Sequence, residues 1–129
     1  MSRSHRLLLW AAATDRTFEL RTFGGRRMLV GKCIHCRRKL AIDLRGSVVP
    51  VATVEHIVPK THGGTDALDN LAVACRRCNS TKGVRVDPRR ADDPVLQEVI
   101  ATLRARRAER MREPPPELHL PELDVRPPR

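Results

Sequence analysis

Four residues between positions 55 and 79 carry side chains suited to hydrolytic chemistry: Glu55, His56, Asn70 and Asn79. Glu55 and His56 are neighbours, so on an extended backbone their side chains point to opposite faces. One can bind a metal ion while the other stays free as a base. Imidazole suits the second task because its ordinary pKa lies near neutrality. Asn79 offers an amide oxygen, a hard ligand that suits magnesium. Two protein ligands leave an octahedral ion several positions for water and phosphate, as phosphoryl chemistry requires. An adjacent Glu-His pair alone means little; the ordered set and its spacing carry the weight.

All four cysteines fall into two Cys-x-x-Cys knuckles, Cys33-Ile34-His35-Cys36 and Cys75-Arg76-Arg77-Cys78. Two intervening residues let both sulfurs of a knuckle face one ion, and two knuckles complete a tetrahedron. A shell of four sulfurs is closed, so the expected zinc is structural. Two redox dithiols are the alternative, and the paired spacing disfavours them. His35 is read as solvent-exposed, since four sulfurs already suffice. Cys75 and Cys78 immediately precede Asn79, so the ion should fix that corner of the backbone.

The stretch EHIVPKTHGGTDALDNLAVACRRCNSTKG, with CIHC upstream, resembles the HNH nucleases, the zinc-stapled branch of the ββα-metal (His-Me finger) enzymes. The resemblance spans residues 33–83. It implies a small α+β domain of ββα-metal type that hydrolyses nucleic-acid phosphodiester bonds, those of DNA above all. By the resemblance, His56 is the general base, and Glu55 and Asn79 hold a divalent metal. Asn70 orients the histidine and its loop, and Lys82 matches a recurring lysine that can touch phosphate. Products would carry 5′ phosphate and 3′ hydroxyl ends. The sequence departs from the commonest pattern twice, with Glu for Asp at position 55 and Asn for His at position 79. The second change favours magnesium or manganese. Arg76 and Arg77 are candidate phosphate clamps, and His62 reads as a polar loop residue.

The elements that must position these groups follow from pattern. Residues 4–14 suggest a short helix with Leu7, Leu8 and Trp10 inward. Residues 17–31 read as a hairpin turning at Gly24-Gly25, with Phe18, Leu20 and Thr22 on one face. Residues 40–44 and 48–54 read as two strands, the second demoted by Pro50. A loop with Gly63-Gly64 at its tip precedes a strand over 71–75. A short helix over 79–82 is expected to stop at Gly83. Residues 93–112 form the long basic helix, with Asp93 as N-cap and Pro94 as first residue. Val95, Leu96, Val99, Ile100 and Leu103 make its apolar stripe. The expected organisation is a helix and hairpin over 1–31, the nuclease domain over 32–112, and a Pro-rich disordered tail over 113–129 in which His119 is exposed.

Composition limits the alternatives. The chain has 129 residues, room for one compact domain. Only Trp10, Phe18 and Phe23 are aromatic, so the core is lean and a metal staple is expected. The net charge is +10, and 21 of the 25 cations are arginine, whose planar fork fits phosphate. A nucleic-acid partner follows, and a non-catalytic zinc-stabilised nucleic-acid-binding module is the runner-up reading. No apolar run approaches the length of a membrane span. Arg3 and Arg6 before Leu7 to Ala13 imitate a short secretory signal, but the run is expected to be buried and the paired thiols point to the reducing cytoplasm.

Overall fold

A computed structural model describes residues 1–46 and 51–123. The chain runs α1 (Arg3–Ala13), β1 (Glu19–Phe23), β2 (Arg26–Lys32), β3 (Lys39–Asp43), β4 (Ala52–His56), β5 (Leu71–Cys75), α2 (Arg76–Arg85) and α3 (Pro94–Arg110). Single 3-10 turns at Lys60–His62 and Leu68–Asn70 lie between β4 and β5. β1, β2 and β3 form one antiparallel sheet, and β4 and β5 a separate antiparallel pair. This is a small α+β fold.

α1 forms because Ser2 caps it, its hydroxyl accepting the His5 N–H, and because Leu7, Leu8 and Leu9 with three alanines bury one side. Each buried leucine contributes roughly 1.5–3 kcal/mol. α1 lies against β4 and β5, so the apolar run that imitates a signal belongs to the core. Trp10 is only half-buried, and its indole N–H donates to the Pro121 carbonyl at 2.6 Å. The β1–β2 hairpin turns at Gly24 and Gly25, both at positive φ as the tight turn requires. Phe18 packs directly over Gly31, where a Cβ would sit 2.3 Å from the ring. Leu20 is half-buried, but Thr22 is exposed.

Several expectations need correction. The fourth strand starts at Ala52, later than the pattern suggests; Ser47 to Pro50, including the proline, lie outside the described residues. α2 starts at Arg76, three residues early, and runs through Gly83. The reason is a sulfur cap: the Cys75 thiol accepts the Cys78 N–H, which side-chain rules based on Ser, Thr, Asp and Asn do not anticipate. Past the N-cap Asp93, α3 exposes Val95 and buries Leu96, Ile100, Leu103 and Arg107. The expected disordered tail is, over 113–123, an extended strap whose Leu118, Leu120 and Leu123 rest on the core. His119 is exposed as expected, and residues 124–129 lie outside the described set.

Arg107 is 1% exposed. Its guanidinium donates to the Thr14 hydroxyl (2.7 Å), the Thr14 carbonyl (3.2 Å) and the Leu68 carbonyl (3.2 Å). It therefore clasps the end of α1 to the turn before β5. Burial pulls its pKa down, while Asp15 and Asp69 oppose that shift. Arg107→Ala strands those buried acceptors, so urea titration should show a loss of about 3 kcal/mol. A loss below about 1 kcal/mol would mean the clasp is held by packing alone.

Candidate active site and metal centre

The four sulfurs of Cys33, Cys36, Cys75 and Cys78 all lie within 4.8 Å of one another. Cys36 Sγ and Cys75 Sγ are 3.9 Å apart, close to the ~3.8 Å edge of a tetrahedral zinc–thiolate site. Cys33 Sγ accepts the N–H groups of His35 (3.4 Å) and Cys75 (3.2 Å). Backbone donors aimed at sulfur stabilise thiolates. Burial, then the neighbouring thiols of Cys75 and Cys36, hold the Cys78 thiol well above its ordinary pKa. A central dication removes that repulsion. The donor set thus fits a structural zinc ion.

β4 presents Thr53 and Glu55 towards α2. Asn79 donates from Nδ2 to the Thr53 hydroxyl (3.0 Å) and the Val54 carbonyl (3.3 Å). With the amide nitrogen so committed, the amide oxygen is the atom left to face an ion. Glu55 is 1% exposed, and its Oε1 has no hydrogen-bond partner. Lys82 Nζ lies 3.5 Å from that oxygen but donates elsewhere, to Asp87 Oδ1 (2.8 Å) and the His56 carbonyl (3.1 Å). A buried carboxylate oxygen that accepts no hydrogen bond and an amide oxygen on the helix facing the same strand are hard donors that fit a divalent cation.

His56, on the opposite face of β4, points towards the loop. Its Nε2 lies 2.7 Å from Asp66 Oδ1, and Arg3 (2.8 Å) and Lys60 (3.6 Å) flank the same carboxylate. The residue pair 55–56 therefore splits across the strand as alternation requires. Asn70 holds the intervening loop: its Oδ1 accepts the Val58 N–H, and its Nδ2 donates to the Val58 and Thr65 carbonyls. Its contacts are with the loop backbone; none with the imidazole is found among the described residues.

Asp66 is the residue that sequence reasoning missed. The double glycine explains how it arrives. Gly63 sits at φ 82°, and a Cβ on Gly64 would fall 1.8 Å from the Val58 carbonyl oxygen. The loop folds back on itself only with glycine there, and that fold returns Asp66 to His56. The His56 hydrogen bond, with Arg3 and Lys60, lowers the Asp66 pKa to about 2 against the opposing effect of burial. The folded value lies below the unfolded one, so this stabilisation is complete above about pH 4 and fades as pH falls towards 2. Solvent screening limits it to about 1 kcal/mol. Asp66→Asn should flatten this part of the acid-unfolding curve; an unchanged slope would show that the pair contributes nothing.

Lys82 is 4% exposed and braces β4 against the turn after α2, which takes its ammonium away from a phosphate-contacting surface. His35 is half-buried rather than exposed, with Nε2 2.5 Å from Glu55 Oε2. His62 is bonded through Nε2 to the Asp87 carbonyl at 2.9 Å, a loop-fixing contact. Arg76 and Arg77 are exposed on the first turn of α2. No helix among the described residues is long and apolar enough to cross a membrane.

Residues 33–85 match the family model described as HNH endonuclease. No curated protein and no solved structure matches the chain. The matched span contains both knuckles, the β4–β5 pair, the glycine-folded loop and α2, so the segment 33–85 carries an HNH endonuclease domain match.

Proposed function

We propose that the chain is a metal-dependent endonuclease that hydrolyses phosphodiester bonds of nucleic acid, with DNA as its substrate. The observation that carries this reading is the buried Glu55 carboxylate, one oxygen of which accepts no hydrogen bond and has only the Lys82 ammonium near it at 3.5 Å, one residue from an imidazole held by a carboxylate of its own. Asp66, ionised, can only accept hydrogen bonds, so the proton of a neutral His56 ring sits on Nε2. The lone pair is then on Nδ1, and Nδ1 takes the proton from the attacking water. Asp66 stabilises the imidazolium that results, as in other base–carboxylate pairs. Glu55 and Asn79 would hold Mg2+ or Mn2+, which when bound supplies stabilisation of charge on the phosphorus oxygens and the departing 3′ oxygen. Products would carry 5′ phosphate and 3′ hydroxyl ends.

Substrate contact is supported by charge placement. Arg76 and Arg77 project from the second knuckle. A cavity of about 230 Å³ after the first knuckle is lined by Arg16, Lys32, Arg37, Arg106 and Arg110, with Glu109 and Thr17 completing the wall. Cations converging from β2, the knuckle and α3 suit a backbone phosphate. Cysteines paired for zinc rather than for disulfides favour the reducing cytoplasm as the protein's compartment.

The test is direct. Supercoiled plasmid is incubated with zinc-loaded protein and Mg2+ or Mn2+, and in parallel with His56→Ala. Nicking by the wild type alone supports the enzyme. A mobility shift without nicking indicates a non-catalytic zinc-stabilised binding module, and neither result indicates a structural role.

A further inference from the structure

We propose that His35, inside the first zinc knuckle, is a ligand of the second, catalytic metal ion, so that its site is built from imidazole, carboxylate and amide oxygen. The inference rests on the reading of Glu55 and Asn79 given above and extends it to a residue of a different element. His35 Nε2 and Glu55 Oε2 are 2.5 Å apart, from two segments twenty residues distant in sequence. Glu55 is buried, and its other oxygen has no hydrogen-bond partner. The ammonium of Lys82 lies 3.5 Å from that oxygen but gives its hydrogen bonds to Asp87 and the His56 carbonyl. An imidazole nitrogen and a carboxylate with spare acceptor capacity thus meet at β4, the strand that also bonds Asn79 of α2.

The position of His35 is imposed by the sulfur cluster. Its backbone N–H is bonded to Cys33 Sγ. The next tie is from Ile34, whose N–H donates to the Val73 carbonyl at 2.9 Å, locking the knuckle against β5. Arg106 also donates to the Ile34 carbonyl, at 3.2 Å. The ring is therefore carried on a backbone fixed from three sides, and a preorganised donor loses little entropy on binding an ion. The structural zinc and the catalytic ion are then linked through a single residue.

The chemistry has a consequence for metal choice. Two oxygen ligands alone suit Mg2+, whereas an added imidazole shifts preference towards Mn2+, Co2+ and Ni2+. A hydrogen-bonding role for His35 would instead leave that preference alone.

Mn2+ binding to zinc-loaded protein is followed by electron paramagnetic resonance, for wild type, His35→Gln and Glu55→Gln, with Mg2+ affinity measured by competition. The expected result for His35→Gln is a tenfold or greater loss of Mn2+ affinity, of the order known for disturbed metal shells, with Mg2+ affinity changed far less. Zinc content of one ion per chain certifies the fold of each variant. Pulsed measurements on wild-type protein should also show a directly bonded 14N nucleus on Mn2+. Its absence overturns the proposal without recourse to any variant. Unchanged Mn2+ affinity in His35→Gln, with a loss in Glu55→Gln, overturns it while leaving Glu55 as a ligand. Unchanged affinity in both variants defeats the metal reading of Glu55 as well.

Discussion

Removing zinc from the four-cysteine site should unfold the segment 33–85 that the two knuckles bracket. With chelator under reducing conditions, or in Cys33→Ser, the melting temperature is expected to fall by more than about 20 °C or the transition to vanish. The argument is one of magnitude. Structural zinc in small domains is worth about 10–16 kcal/mol, whereas a whole domain is stable by about 5–15 kcal/mol. Here the ion joins parts that little else joins. Cys33 and Cys36 follow the β1–β3 sheet's second strand, and Cys75 and Cys78 link β5 to α2. Between the knuckles, the direct bonds are Cys75 N–H to Cys33 Sγ and Ile34 N–H to the Val73 carbonyl. Cys33 and Cys75 are themselves core residues, so without the ion four thiols crowd together at the edge of the core. The sulfur cap of α2 would be lost with them, and Asn79 would lose its position. Circular dichroism melts with parallel zinc analysis decide the matter. A melt unaltered by complete loss of zinc would show that the apolar core holds this corner unaided.

What could be read from residue order was whatever depends on spacing along one element. The two knuckles, the hairpin turn at Gly24-Gly25 and the Asp93-Pro94 start of α3 are of this kind, because each signal lies within a few residues. Residues whose partners lie on other elements were misread. Lys82 looks like a surface lysine on a polar helix, and only the packing of α2 on β4 shows that its ammonium is enclosed by Asp87, Glu55 and a carbonyl. Arg107 falls in the basic second half of the helix over 93–112, yet its position continues the Leu96–Ile100–Leu103 stripe, which is the available clue. His35 seemed spare because four sulfurs complete a tetrahedron; the contact with Glu55 depends on how the knuckle stacks against β5. Asp66 is hidden in the sequence because its approach to His56 depends on a loop reversal whose only local sign, Gly63-Gly64, marks a turn but not what the turn brings back.

His56→Ala is expected to abolish nicking, with a fall of roughly 10²–10⁴ in the single-turnover rate at saturating metal, while Mn2+ affinity and mobility shifts on DNA persist. The separation follows from geometry. Glu55 and Asn79 stand on the α2 side of β4, and His56 stands on the loop side, so truncating the imidazole leaves the metal-facing groups in place. Equal loss of rate and metal affinity would mean instead that His56 is itself a ligand. Asp66→Asn separates the roles further. The amide no longer stabilises the charge that the ring acquires, and it can hydrogen-bond Nε2 through either its oxygen or its nitrogen, so the tautomer with Nδ1 free is no longer enforced. Its rate should fall by at least about tenfold with metal binding unchanged, less than for His56→Ala, because the base is still present. In the double variant the Asp66 substitution should cost almost nothing more, since a residue that acts through the imidazole has nothing to act on once the imidazole is gone. Additive losses in that double variant would place Asp66 in direct contact with substrate and remove it from the role of positioning the base.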